Sequence, residues 1–530
     1  MISSRQTFEQ ISNKIFTKLV RTFPIGCASD EFYFFPHIAD STINSILWDD
    51  FSTESIREII KEISDSLSGL TQLSIPDDDK KGMADKNMLT LFLNNLRDQL
   101  DDLALWKKQP SLYLTILNAG LAQAVNQDNK GLLHQRLRAI PEFIYQSIRN
   151  IEDVPHFWKE ISLAMVDDFR HFLDLLSGNN KDTELSIKAV KVLEDKIKRL
   201  PEETELNIKS ELIDRIYCNH LATGLNISEI SKIIDDEIGE MLQVMATEAE
   251  SILKTPVKHL AGVDKLINEV YDKIGVKSNL KEEPVILFRG EMDQIRAHLI
   301  KTGILDSDPE KLIPVKVEEM PRYFRAIRSA SSYSIYPQYP PVNGYFYILT
   351  ASSYGIPSEN LDEYRMLTAH ETYPGHHLLD SSRLSLNNIV RRSLEFPLFY
   401  EGWASFAEIL LNYTGYYTDS ADRFILAKRR YWRAVRGQVD IGLQTKKLDP
   451  ESAANILQKT GIPYKRAISS VKIYTLNPGY QICYTVGIRR FLDLCNNYGK
   501  NDLKKFVRTI LSNGEILFPD LETLMKNPHT

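Results

Sequence analysis

A chain of 530 residues with 43% hydrophobic content can bury one large core or divide into two lobes. Its formal net charge of −7, with no basic tract, argues against nucleic acid as a partner. No apolar run approaches the roughly eighteen residues of a membrane span, so no membrane partner is expected.

The opening residues, Met-Ile-Ser-Ser-Arg-Gln, lack the basic and apolar regions of a signal peptide. Cys27 in Pro-Ile-Gly-Cys-Ala has the letters of a lipoprotein cleavage site. The preceding Lys-Leu-Val-Arg-Thr-Phe is charged where such a segment is apolar, so Cys27 reads as a core residue. The other cysteines, Cys218, Cys483 and Cys495, have no metal-type spacing and suit a reducing compartment. A cytoplasmic location is the expectation.

Helical periodicity dominates the chain beyond this point. Ser55 to Leu67 aligns Ile56, Ile59, Ile60, Ile63 and Leu67 on one stripe. Met88 to Trp106, Ile187 to Leu200 and Ile227 to Leu253 repeat the pattern, with Ser228 as a candidate N-cap for the last. Pro76–Asp79, Ser177–Asn180 and Pro201–Glu203 punctuate the helices. No fixed-period repeat or low-complexity tract occurs. Tyr333 to Ser353 departs from the helical pattern, and Gly344 to Thr350 reads as a strand. A helix then begins near Ser358. Chemistry-bearing residues crowd into the second half, which suggests a helical region 1–260 and a metal-binding catalytic region 261–530, or one intertwined body.

In His370-Glu371-Thr372-Tyr373-Pro374-Gly375-His376-His377, three of the chain's eleven histidines share eight residues with a carboxylate. These are zinc's preferred ligand types. Removing Pro374-Gly375 leaves two His one turn apart with a Glu between, the helical zinc-peptidase pattern. With the insertion present, His376 would point about 120° away from His370 on a straight helix. His377 would face correctly but about 10 Å too far along. Pro374 breaks that geometry, and a two-residue bulge would return His376 to the face of His370. The second ligand is therefore His376, with His377 as its alternative or as a supporting donor. Glu401, in Tyr400-Glu401-Gly402-Trp403-Ala404, follows His376 by 25 positions, enough for a second helix to bring a third ligand. The bland alternative is a helix ending in a polar turn. The other eight histidines have no nameable partner.

These segments resemble the signature of the bacterial family known as domain of unknown function 885 (DUF885), His-Glu-x-x-Pro-Gly-His followed by Glu-Gly-Trp-Ala. Arg436 to Asp440 in Arg-Gly-Gln-Val-Asp, and Asn477-Pro478-Gly479 leading to Tyr484 and Gly487, match in order over roughly the last two hundred residues. Tyr480 stands where relatives carry Gln, and Gln444 where they carry His; both bear on substrate specificity. The family is related to gluzincin peptidases such as neurolysin-like oligopeptidases and angiotensin-converting enzyme. The resemblance therefore implies a mainly α, two-lobed, gluzincin-like architecture with a small β element near the metal. It further implies one Zn2+ per chain on His370, His376 and Glu401.

By the same likeness Glu371 is the general base and Tyr484 the oxyanion donor, a role Tyr480 can share. Asp440 is a candidate to orient a ligand histidine, and Arg436 to bind a substrate carboxylate, unless the two form a surface ion pair. Glu408, seven residues after Glu401, shares its helix face and is a candidate ligand or support for a ligand, or else a structural partner. An edge strand at Gly344-Tyr345 would pair with substrate backbone, or else cover the core as a hairpin. The implied activity is hydrolysis of short peptides or small amides by metal-activated water. The rivals are a metalloenzyme of another reaction class and a helical binding protein with a structural or lost metal.

Overall fold

The computed structural model describes residues 4–39, 48–176, 181–201, 208–257, 262–274, 283–306, 312–324, 328, 330–350 and 361–526. The protein is mainly helical with one three-stranded sheet. Its helices include α1 (Ser4–Thr22), α2 (Thr53–Gln72), α3 (Lys80–Leu100), α4 (Lys181–Arg199) and α5 (Ile227–Leu253). After the strands β1 (Val315–Glu319), β2 (Ser332–Ile335) and β3 (Gly344–Ile348) come α6 (Tyr364–Glu371), α7 (His376–Leu384), α8 (Pro397–Tyr413), α9 (Ser420–Gln444) and α10 (Ile482–Leu494).

Local chemistry sets most boundaries. The α2 stripe buries Ile56, Ile59 and Ile63, and the Ser52 hydroxyl caps it by accepting from the Ser55 N–H. The apolar pattern from Met88 to Trp106 is not one helix. α3 stops at Leu100, where Asp101 and Asp102 oppose the helix dipole. Ala104 then adopts a left-handed conformation (φ 47°), and the Trp106 indole donates to the Leu100 carbonyl (2.9 Å). α4 starts six residues before Ile187, with Asp182 and Glu184 in its first turn. The cap of α5 is Asn226 and not Ser228. Asn226 accepts from the Glu229 N–H while Glu229 accepts from the Asn226 N–H, a reciprocal pair that places Ser228 inside the helix. Ser177–Asn180 and Ser358 lie outside the described residues.

The sheet corrects the expected strand edge. β3 is the middle strand, parallel to β1 and antiparallel to β2. Both backbone edges of Gly344 to Ile348 are therefore taken. β1, with Val317 as its one buried side chain, gives almost no pattern to read.

Apolar side chains form a main cluster running from Phe8 to Leu524, with no division at residue 260. The most extensive helix pairing joins α5 to α9, one from each side of that boundary. α8 and α10 cross at two glycines. A Cβ on Gly402 would lie 2.6 Å from the Gly487 Cα, and one on Gly487 would lie 2.4 Å from the Leu398 carbonyl oxygen. Neither position tolerates a side chain. This crossing sets Glu401 on α8 beside Tyr484 on α10.

Two Gly→Ala substitutions should therefore act in opposite directions. Gly487→Ala overpacks the crossing and should cost about 1–3 kcal/mol of stability. Gly239, within α5, has nothing within 4 Å of its Cβ position; Gly239→Ala should stabilise by about 0.5–1 kcal/mol. Thermal or urea unfolding reads both, and equal shifts would contradict the packing assigned to the crossing.

Candidate metal centre

The chain breaks between α6 and α7 over Thr372–Gly375, a full interruption and not a bulge within one helix. The freed backbone groups find new partners. The Gly375 N–H donates to the Ala369 carbonyl (3.0 Å), and the Leu378 N–H to that of Thr372 (3.3 Å). From α8 the Trp403 indole donates to the Pro374 carbonyl (2.9 Å) and the Gly375 carbonyl (3.3 Å). Gly375 has no alternative, since a Cβ there would fall 1.8 Å from the His370 carbonyl oxygen. The sequence Pro-Gly and the Trp of Glu-Gly-Trp-Ala thus act as one device that starts a new helix at His376.

That restart brings His370 and His376 together, with ring centroids 4.7 Å apart and planes at 83°. Glu401 Oε2 lies 3.4 Å from His370 Nε2 and 3.5 Å from His376 Nε2. All three side chains are buried. Glu401 Oε2 has no hydrogen-bond partner, while Oε1 accepts from the hydroxyls of Tyr480 (2.7 Å) and Tyr484 (2.9 Å). Behind His370, Nδ1 faces Glu408 Oε1 at 3.1 Å. Burial opposes charge on Glu408, but Arg429 and Arg433 hold its carboxyl well below the usual carboxylate range. The Arg433 guanidinium Nη2 lies 3.2 Å from the same nitrogen. With the Nδ1 proton turned to the ionised Glu408, the His370 Nε2 lone pair is left free to bind a metal. The His376 ring stacks on Tyr400 at 4.1 Å. For zinc, ligand distances of about 2.0–2.2 Å in a tetrahedron imply ligand–ligand separations of about 3.3–3.5 Å. The donor set and its orphaned carboxylate oxygen fit that ion.

Glu371, at the end of α6, accepts from the Tyr333 backbone N–H (2.7 Å). Burial pushes its carboxyl up to about 7, against the opposing pull of His376 and that N–H. Glu371, the two imidazoles and Glu401 line a cavity of ≈ 900 Å³ that also exposes Arg436 and Tyr484.

The other sequence candidates fall in different places. His377 turns away from the cluster, with Nδ1 near the Tyr333 hydroxyl (3.3 Å) and Nε2 near Ser381 (3.5 Å). Asp440 reaches no histidine. It accepts from the N–H groups of Gly479 (3.1 Å) and Gln481 (3.0 Å) and from the Tyr217 hydroxyl (3.2 Å), which fixes the turn leading into α10. Gln444 also bonds to it. Arg436 does not pair with Asp440 either. Its Nε donates to Gln481 Oε1 (2.9 Å), and its guanidinium lies 4.5 Å from the rings of both Trp432 and Tyr484. Gly344 packs against Tyr333 and His377, and Tyr345 stacks on Tyr347; neither lines the metal cavity.

Of the support behind His370, Glu408 was legible in the sequence, whereas Glu363, Lys428, Arg429 and Arg433 were not. Glu363 receives Lys428 (2.5 Å) and Arg429 (3.0 Å), and Glu408 receives Arg429 (2.9 Å) and Arg433 (2.5 Å), all buried. A signal for it existed. Arg429, Arg433 and Arg436 recur at helical spacing on a helix that otherwise buries that face.

A family model described as "Bacterial protein of unknown function (DUF885)" matches residues 41–525. No curated protein matches. Two solved structures share the fold. One, from Shewanella oneidensis, named "a putative lipoprotein of unknown function", is 17% identical with a TM-score of 0.75, covering 98% of this chain and all of its own. The other, named "the putative lipoprotein" from Colwellia psychrerythraea, is 15% identical with a TM-score of 0.73, covering 99% of this chain and all of its own.

If Glu408 orients His370, Glu408→Gln should weaken zinc binding by about 10–100-fold, the usual effect of losing such support. Competition with a fluorescent chelator, on protein whose circular dichroism is unchanged, measures it. Wild-type affinity in a folded variant would remove Glu408 from the site.

Proposed function

The chain belongs to the DUF885 family of bacterial proteins of unknown function, and on that premise we propose that it is a zinc-dependent hydrolase of short peptides or related small amides. The reading rests foremost on Glu401 Oε2. A buried carboxylate oxygen without a hydrogen bond, facing two imidazole nitrogens at 3.4 and 3.5 Å, is costly unless a cation sits between them. Zinc bound there would supply a water acidified toward neutrality and a Lewis acid for the scissile carbonyl.

The chain's own groups divide the remaining work. Glu371 stands next to the first ligand with its carboxylate in the cavity, placed to take a proton from the attacking water and return it to the leaving amine. The Tyr333 N–H fixes one of its oxygens. Tyr480 and Tyr484 hold Glu401 by Oε1, which keeps Oε2 turned toward the imidazoles. Tyr484 also lines the cavity, so its hydroxyl, on exchanging Glu401 Oε1 for the substrate oxygen, is the donor for a developing oxyanion. Its ring lies 6.4 Å from that of His370, at 22° between planes.

The rival of a structural metal fits less well. Structural zinc is closed by four protein ligands, and among the described residues the cluster holds only three, beside an open cavity. A different metal-assisted reaction on the same scaffold is separated by substrate screening. The gluzincin-like, two-lobed arrangement expected from the sequence belongs to this proposal, as does a cleft that admits extended chains. The name "lipoprotein" carried by the two similar structures does not favour the cytoplasmic location expected from the sequence. No helix of the described residues is long and apolar enough to cross a membrane.

Purified protein should hold about one zinc per chain by elemental analysis. Glu401→Ala should lose it, whereas His377→Ala should keep it; the reverse pattern would move the site. Glu371→Gln should keep the metal but lower turnover of a cleaved peptide by about 10²–10⁴-fold, the range of general-base contributions. Undiminished turnover would assign the base elsewhere.

A further inference from the structure

A second cavity of ≈ 730 Å³ lies against the first, and the two share Ala330, Ser332, Tyr333, Tyr400 and Tyr484 as lining residues. The dividing wall is thin. Tyr480, in the second cavity, and Tyr484, in both, bond to the same Glu401 oxygen. The metal cluster therefore sits where the cavities meet, and a chain laid along Ala330 to Tyr333 would pass from one into the other.

The cavities carry opposite charge. The metal cavity is lined by five basic and three acidic residues. Lys428, Arg429 and Arg433 are consumed by Glu363 and Glu408. Arg436 and Arg466 pair with no carboxylate among the described residues, and Arg436 has only Gln481 and its aromatic neighbours. The second cavity is lined by six acidic and three basic residues. There Arg328 is taken by Asp30 and Glu31, Lys472 by Glu160, and Arg383 by Asp380 and Glu515.

Two carboxylates are left over, the half-buried Asp168 and the more deeply buried Glu395. Glu395 is 9% exposed, lines the second cavity and accepts no hydrogen bond from the described residues. Its Oε2 faces His37 Nδ1 at 3.6 Å. Burial and Arg383 push that imidazole down to about 4; its Nε2 faces the Phe32 carbonyl (3.3 Å), which leaves Nδ1 as a lone pair. Burial with Glu515 pushes the Glu395 carboxyl well above the usual carboxylate range, because no counter-cation pairs with it among the described residues. Tyr33, Phe34, Tyr400 and Tyr480 line the space around it. A carboxylate among aromatic rings is the chemistry that recognises an ammonium group.

We propose that the cleft grips its substrate by both ends, a free ammonium group at Glu395 and a free carboxylate at Arg436 and Arg466. The substrate class is then short peptides with unblocked termini, oriented across the metal by charge. This rests on the hydrolase reading for the reaction but not for the binding.

The experiment uses phenylalanyl-alanyl-alanine in four forms: free, N-acetylated, C-amidated and doubly blocked. Metal-free Glu371→Gln protein is titrated with each by calorimetry, and zinc-loaded wild-type protein is assayed for cleavage of each. Each blocked end should weaken binding by about 10–100-fold, the scale of one lost charged hydrogen bond. Adding Glu395→Gln should abolish the penalty for acetylation and leave that for amidation. Adding Arg436→Met should do the reverse, and Arg466→Met, at a half-exposed position away from the ligands, should reduce the amidation penalty by itself. Equal binding of all four forms, or a Glu395→Gln effect that ignores the amine, would overturn the two subsites. End-dependent binding with no cleavage of any form would retain the subsites and refute the hydrolase reading. Cleavage with no end dependence would do the opposite.

Discussion

Two imidazoles six positions apart must reach one point, and on a continuous helix the second would face about 120° away. Everything at the site depends on how the chain resolves that conflict. It ends one helix at Glu371 and begins another at His376, which costs helical hydrogen bonds and brings Gly375 against the His370 carbonyl. Only a residue without a Cβ fits there. The Pro374 carbonyl would be orphaned in the core if Trp403 did not donate to it, and the Gly375 carbonyl, which takes the Leu379 N–H, accepts from the same indole. Because Trp403 stands two residues after Glu401 on α8, the support for the break and the third proposed ligand arrive on the same helix. The glycine-to-glycine crossing of α8 and α10 then brings Tyr484 to the other side of Glu401.

A second constraint is electrical. Glu363, Glu408, Lys428, Arg429 and Arg433 form a continuous buried network ending at His370 Nδ1. Burying so many charges rarely gains stability over apolar packing, since desolvation offsets the attraction. Its effect here is orientation. An ionised Glu408 draws the His370 proton to Nδ1, against the Arg433 Nη2 that lies 3.2 Å from the same nitrogen, and two arginines keep Glu408 ionised despite full burial. The same helix, α9, supplies those arginines and Arg436, so one element carries both the support of the ligand and the charge of the cavity.

The grouping of His370, His376 and Glu401 was legible in the sequence because few residue types bind metals and their spacing was already strained around Pro374-Gly375. The sequence also revealed the helices whose apolar stripes are long, α2 and α5 among them. Other features depended on partners distant in the chain. Asp440 sits four residues from Arg436, which suggested a pair. Instead the turn at Pro478-Gly479 folds back and offers it two N–H groups, an arrangement no local spacing encodes. The Met88–Trp106 periodicity ran through a helix end because Trp106 folds back to cap Leu100 and stays apolar in register. The strand at Gly344 was legible, but its central place was not. β1 adds one buried side chain, and the pairing that makes β3 the middle strand is a long-range event.

X-ray absorption at the zinc edge of the loaded protein tests the central claim most directly. The account predicts a first shell of two imidazole nitrogens and light oxygen donors at about 2.0–2.2 Å, with one position exchangeable with solvent or a small anion. A shell containing sulfur, a third imidazole, or four protein ligands closed to exchange would contradict it.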